Sequence, residues 1–394
     1  MNGFEIKKDI YWVGVKDWNL KEFHGFATPH GSTYNSYLIV DDKLTLVDGV
    51  KHYLSHEQIA RISSLADFSK LAYIVVNHVE MDHSGNIPEI MKLAPQAKIV
   101  TNVAGKMALE AHFDTTGWQY EIIKSGDKLN IGKHTLEFMT TPMLHWPDSM
   151  MTYVIEDKLL LSNDGFGQHF ASDGLFAKDQ PLDLIYDAAK SYFANILFPY
   201  STQVEKALNT AGELGFDIEM IAPSHGCIWS GKEEVSKVLG LYAKWASGQN
   251  EGKAVVVYDS MWGATAAMAE AVMEVFQDAG IPVMKHCIAV KDESEIMIDF
   301  LDAEYICIGN PTLNNNLFPR VASFVTYMRG LAPRNKKGLA FGSYGWKPGV
   351  VNQIQQIFDE LGWKSVPVFE AKYTPKAEVL DNLKARVKEL IELS

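Results

Sequence analysis

The sequence predicts two domains of α/β class, from its length, one polar break and a rhythm of short apolar runs. At 394 residues the chain exceeds one ordinary domain and has room for two or three. The stretch KWASGQNEGK (Lys244 to Lys253) is polar, holds two glycines and precedes the abrupt apolar run AVVVY, as a domain boundary should. On both sides of it, short apolar runs end in loops of Gly, Pro, Asn, Asp and Ser, with helical stretches between them. The expected domains are 1–249 and 250–394.

Composition narrows the function classes. Hydrophobic residues are 47% and charged residues 22%, the balance of a soluble globular protein. With 36 Lys and Arg against 49 Asp and Glu, the net charge is −13. No basic stripe offsets it, so nucleic acid is not an expected partner. No apolar run reaches the roughly 18 residues of a membrane span, and the N-terminus lacks a signal-peptide pattern. A cytoplasmic location is expected, with no membrane partner. Cys227, Cys287 and Cys307 share no close spacing, which excludes a disulfide framework or a four-cysteine metal site.

In the first part, strand-like Leu71–Val76 leads into NHVEMDHSG, and Leu136–Met139 leads into TTPMLHWPD. Leu159–Leu161 leads into SNDGFG, Ile218–Ile221 into APSHG, and a helix is expected near Ser201–Leu214. The class there is α/β or α+β, with each polar loop just past the end of a strand. The second part alternates strands at 254–258, 305–309 and 338–342 with amphipathic helices. Met268, Ala271, Val272, Val275 and Phe276 recur at helical spacing ahead of Gly280, a C-cap. Continuous apolar strands between such helices imply a parallel sheet covered on both faces.

Chemistry concentrates in four of these loops. His78, Glu80, Asp82 and His83 fall within six residues, directly after a strand. His145, Asp164 and His225 follow at later strand ends. One metal needs three or four such ligands, whereas seven suit two metals sharing a bridging carboxylate.

The second part carries a different signal. Ser260-Met261-Trp262-Gly263-Ala264-Thr265 lies between a strand and a helix, a setting that cradles phosphate with backbone N–H groups and hydroxyls. It has neither G-x-G-x-x-G nor G-K-[ST] spacing. Gly309–Asn315 and Gly342–Trp346 follow the next two strong strands.

The run H-x-E-x-D-H, followed by His, Asp and His, resembles the metallo-β-lactamase-like fold, and Asp48 in LVDG matches an early Asp of that group. Glu80 stands where the group's second His is expected, and a carboxylate there favours non-haem iron over zinc. With this change the pattern resembles the flavodiiron proteins. That resemblance implies an αββα sandwich in which His78, Glu80 and His145 hold one iron. Asp82, His83 and His225 would hold the other, with Asp164 bridging; some members leave the position of His83 uncoordinated. His24 and Tyr192 match positions on the open side of the metals, where they would hydrogen-bond a bound diatomic, and His169 would orient a ligand.

The second part resembles flavodoxin, a doubly wound parallel sheet, with Trp262 replacing the middle Thr of the phosphate loop. FMN is implied. Ser260, Met261, Trp262, Gly263, Ala264 and Thr265 would take the phosphate side. Pro311, Thr312, Leu313, Asn314 and Asn315 would meet the flavin from one loop, and Ser343, Tyr344, Gly345 and Trp346 from another. Trp346 or Tyr344 would stack on the ring, and Asn310 and Thr312 would bond its polar edge.

Together, two electrons on FMN and one on each iron match the four needed to take O2 to water, and two suffice to couple NO to N2O. The resemblance implies a separate electron donor, rubredoxin or a reduced deazaflavin, because no cysteine pairs follow the flavin domain. It also implies a head-to-tail homodimer or a dimer of dimers. The competing readings are a binuclear zinc hydrolase with an attached flavodoxin domain, and an electron carrier with an idle metal site.

Overall fold

Strand alternation organises the first half of the chain. Tyr37, Ile39 and Val47 bury themselves in one apolar cluster, while the intervening Leu38, Leu44 and Leu46 belong to another, as the period-two geometry of strands requires. The computed structural model describes residues 1–393, and its contacts separate into two units. These are Met1–Tyr192 with Thr202–Ala243, and Phe193–Ser201 with Lys244–Ser394.

The first unit contains two stacked sheets. A seven-stranded sheet runs in the order Phe4–Lys7, Ile10–Trp12, Tyr37–Ile39, Leu44–Val47, Leu71–Val75, Lys98–Thr101, Gln119–Ile122. A six-stranded sheet runs Lys128–Asn130, Thr135–Thr140, Met150–Val154, Leu159–Asn163, Met220–Pro223, Trp229–Ser230. Trp12, Val47, Val75 and Val100 of the first meet Phe138, Val154, Leu161 and Ala222 of the second in one core. Outside the first sheet lie the helices Ser55–Ser63, Ile87–Leu93 and Val103–His112, anchored by Ile62, Ile90, Met91 and Leu109. Outside the second lie Ser201–Glu213 and Lys232–Ser247. The result is an αββα sandwich.

The polar break is shorter than its composition suggests. Lys232–Ser247 continues as helix through Trp245 and Ala246 because both are buried. The irregular chain begins at Gly248, whose φ of +66° a glycine adopts without strain.

The second unit holds a parallel sheet ordered Val283–Cys287, Lys253–Tyr258, Ala303–Pro311, Lys337–Tyr344. Lys364–Ser365 and Phe369–Lys372 both pair with the last of these. The helices Ala264–Asp278 and Ala377–Glu392 cover one face through Met268, Val272, Phe276, Leu383 and Val387. The strand order reverses beside Lys253–Tyr258, the position at which doubly wound sheets take their ligands. Within this unit Asn195 donates to the Ser294 carbonyl (3.2 Å) and accepts from the Tyr327 hydroxyl (2.7 Å). Among the described residues no helix is long and apolar enough to cross a membrane.

Candidate functional site

The ligand loops leave the ends of their strands under tight control. Asn77, the residue before His78, donates its amide (2.7 Å) and its side-chain Nδ2 (3.0 Å) to the Asp48 carboxylate. It also accepts from the Thr152 hydroxyl at 2.8 Å, so one side chain ties both sheets together at the mouth of the site. Burial pushes the Asp48 carboxyl up to about 6. Glu80 then caps the short helical turn Met81–Ser84, which carries Asp82 and His83. His145, Asp164 and His225 arrive from loops after Thr135–Thr140, Leu159–Asn163 and Met220–Pro223.

All seven candidate ligands come together in two groups. One is His78, Glu80, His145 and Asp164; the other is Asp82, His83 and His225, the ligand atoms of each lying within 4.8 Å of one another. Asp164 faces both. Its Oδ2 is 3.6 Å from His78 Nε2 and 3.1 Å from His145 Nε2. Its Oδ1 is 3.1 Å from His83 Nε2 and 3.3 Å from His225 Nε2. Glu80 Oε2 lies 3.3 Å from both His78 and His145, and Asp82 Oδ2 lies 3.3 Å from His225.

Two of the imidazoles have a fixed orientation. His78 Nδ1 meets the Asp148 carboxylate at 2.9 Å, and His225 Nδ1 donates to the Thr33 carbonyl at 2.7 Å. Each therefore turns Nε2 toward the cluster, the arrangement that suits a metal ligand. Burial alone would lower the histidines and raise the acids. The opposed charges outweigh it, pushing His145 up to about 9 and His225 up to about 10. Likewise Glu80 and Asp164 are held below the usual carboxylate range by their histidine neighbours, against burial.

The donor set fits two cations. Both oxygens of Asp82, both oxygens of Asp164 and both ring nitrogens of His83 are buried without a hydrogen-bond partner. Such groups are costly to bury unless something compensates them. Four imidazoles and three carboxylates are a mixed nitrogen and oxygen set of the kind that iron takes.

Around the ligands the environment is aromatic. His24 Nε2 is 2.7 Å from Glu80 Oε1, with its side chain 66% exposed, and so sits at the rim. Tyr192 is buried, its ring 5.1 Å from that of His169 and 5.9 Å from that of His225. Burial, reinforced by the nearby carboxylates, raises its hydroxyl well above the ordinary value, so the proton stays on. His169 accepts or donates at Nδ1 to Ser32 Oγ (2.7 Å), while its buried Nε2 has no hydrogen-bond partner. Burial holds that ring neutral.

Asp148, Ser32, Thr33 and Lys51 also belong to this environment, and no motif in the sequence marks them. Asp148 is the last residue of the HWPD run, and a carboxylate beside a ligand loop is the signal that could have found it. Thr33 contributes a backbone carbonyl, which no side-chain pattern reveals. The Lys51 ammonium lies 4.8 Å above the rings of both Phe23 and Tyr34.

The second unit has its own site, a cavity of about 530 Å³, within the range of cofactor pockets. It is lined by Met261, Trp262 and Ala264, by Pro311 to Asn315, and by Ser343 to Lys347, with Tyr373 and Thr374. Trp262 and Trp346 are strongly exposed at its edge. Thr312 Oγ1 is buried without a partner, an orphan that the polar edge of a flavin would satisfy. Ser260, Gly263 and Thr265 lie in the adjoining turn and helix start, outside the lining. Ser260 Oγ accepts from the amides of Gly263 (3.1 Å) and Ala266 (3.3 Å). Thr265 Oγ1 pairs with Ser343 Oγ at 2.9 Å. Asn310 is also set back, its Oδ1 accepting from the Phe318 amide at 2.8 Å.

Comparison with known proteins covers both units. Residues 33–226 match the family described as ODP family beta lactamase, and residues 256–385 match flavodoxin. The chain is 44% identical over 357 residues to the nitric oxide reductase of Moorella thermoacetica, covering 90% of this chain and 88% of that one. Its structure is similar to that of rubredoxin oxygen:oxidoreductase from Desulfovibrio gigas, with TM-score 0.96, 35% identity, and coverage of 99% of this chain and 98% of that one. It is also similar to the flavodiiron protein of Giardia intestinalis, with TM-score 0.94, 32% identity, and coverage of 100% and 96% respectively.

Proposed function

This chain belongs to the flavodiiron protein family, and from that premise we propose that it reduces O2 to water, NO to N2O, or both. The observation that carries this reading is the position of Asp164, one carboxylate oxygen facing each group of ligands. FMN and two irons, when bound, supply the electrons: four for O2, two for a pair of NO molecules.

The protein's own residues do the rest. In the same proposal His78, Glu80 and His145 would hold one iron, Asp82, His83 and His225 the other, with Asp164 shared between them. Asp148 and Thr33 keep two of the imidazoles turned inward. His24, held by Glu80, and Tyr192, which keeps its proton, would be the groups nearest to offer hydrogen bonds to a diatomic. Phe23, Phe26 and Trp146 surround the histidines with rings and keep bulk water from them. FMN would rest on Met261 to Ala264, Pro311 to Asn315 and Ser343 to Trp346, with Ser260, Gly263 and Thr265 shaping the phosphate turn.

Finer parts of the proposal go with it. The di-iron and flavin functions divide as 1–249 and 250–394. The electron donor is a separate molecule, rubredoxin or a reduced deazaflavin. The active form is a head-to-tail homodimer, alone or paired into a tetramer, in the cytoplasm. Metal analysis and stopped-flow reoxidation test the reading: two irons and one FMN per chain, with reoxidation by O2 or NO yielding water or N2O. Two zincs with ester or lactam turnover would replace the reading with that of a hydrolase.

A further inference from the structure

Behind the metal ligands the first unit leaves a small void. It lies between the outer face of the six-stranded sheet and the helices Ser201–Glu213 and Lys232–Ser247, with a volume of about 20 Å³. Met151 and Leu160 wall its inner side and are almost completely buried, while Ala207 and Leu239 on the helices are half-buried. The void is thus sealed toward the sheet and close to the surface between the helices. Tyr242 closes another side, its ring 4.4 Å from that of Phe166.

The ends of the lining matter more than its size. Leu144 and Gly165 both contribute to it, and each is one residue from a candidate ligand, His145 in one case and Asp164 in the other. Gly165 keeps the space open, because a Cβ there would stand 2.7 Å from Met151 Cε. One water needs roughly 10–15 Å³ and two to four polar partners, whereas dry apolar voids take up nonpolar gas. This void has the volume, but among its lining side chains only the Tyr242 hydroxyl is polar, short of the two to four partners a water needs.

We propose that this void is a docking site for the diatomic substrate on a route through the protein to the Asp164 side of the metal centre. O2 and NO are small, uncharged and weakly hydrated, so dispersion contacts with the lining are enough to hold one of them. The inference rests on the reading of the chain as a reductase of these gases.

Crystals of the iron- and FMN-loaded protein under xenon pressure should show xenon in the void. Ala207→Leu and Leu239→Phe, which fill it from different helices, should exclude xenon. They should also raise KM for O2 and NO several-fold at unchanged kcat, the pattern of lost binding rather than lost chemistry. Iron and FMN content should remain at the parent level, and a variant that loses either is set aside in favour of the other. Parent crystals without xenon in the void overturn the proposal, and so does unchanged KM in filled variants. A parent that binds xenon there yet reduces neither gas overturns the assigned reaction and leaves the apolar-gas site standing.

Discussion

The Asp148 carboxylate lies 2.9 Å from Nδ1 of His78, and the same oxygen accepts the Val79 amide at 2.7 Å. Held on both sides, it aims the His78 ring at the metal cluster and fixes which nitrogen faces inward. Burial works to raise this carboxyl, yet its hydrogen bond with His78 outweighs that and keeps it below the usual range. Asp148→Ala should weaken iron binding by about 10–100-fold, the usual cost of removing a residue that orients a ligand. Chelator competition, followed through iron released, measures it. Unchanged affinity would show that His78 needs no support.

Removing the shared carboxylate should differ from removing a ligand on one side. Asp164→Ala leaves three ligands in each group and should weaken both metals together, because both groups lose a donor. His145→Ala leaves Asp82, His83, His225 and Asp164 in place, and should retain about one metal per chain, since three or four ligands suffice for one. Metal content by mass spectrometry separates the two, and equal losses would count against a bridge.

On the flavin side, Thr312→Val keeps the shape of the side chain and deletes its hydroxyl. That oxygen is buried without a protein partner, so the variant should cost only the flavin's hydrogen bond, about 1 kcal/mol, or roughly fivefold in FMN affinity. Fluorescence titration of deflavinated protein reads the change, with iron content as the control.

Lys336 gives a pH prediction within the second unit. Its ammonium donates to the Ala303 carbonyl (2.7 Å) and to Asn250 Oδ1 (2.8 Å), but burial pushes its pKa down from 10.5 to about 7. Between those values the unfolded chain binds the proton that the folded chain has released. Stability therefore rises with pH across that window, at no more than about 1.4 kcal/mol per pH unit. The cost is fully present below pH 7 and disappears above 10.5. Lys336→Met should flatten this slope in urea melts at pH 7.5, 8.5 and 9.5. An identical slope in the variant would exclude Lys336 as its source.

The contrast between His78 and Thr33 shows what can be read from the sequence. His78 sits in a run of four metal-binding side chains directly after a strand, and that density by itself signals a metal site. His145, Asp164 and His225 are spread along the chain, but each follows an apolar strand, and strand ends are where such loops gather. Thr33 acts through a carbonyl that every residue possesses, on a partner 192 positions away, so nothing in its identity marks it. Asn310 illustrates a different limit. Its place beside a ligand loop is legible, but not that the Phe318 amide takes its oxygen while its buried Nδ2 is left without a partner. The helix end at Ser247 escapes composition because burial of Trp245 and Ala246 outweighs the polar residues around them.

Because Asn77 and the ligands are drawn from both sheets, the metal centre also acts as a clasp on the sandwich, and the order of the ligands along the chain gives it a history. During synthesis, His78, Glu80, His145 and Asp164 are all present once residue 164 has emerged, whereas the other group waits for His225. The second group is complete only after Met220–Pro223 has joined Leu159–Asn163 in the second sheet.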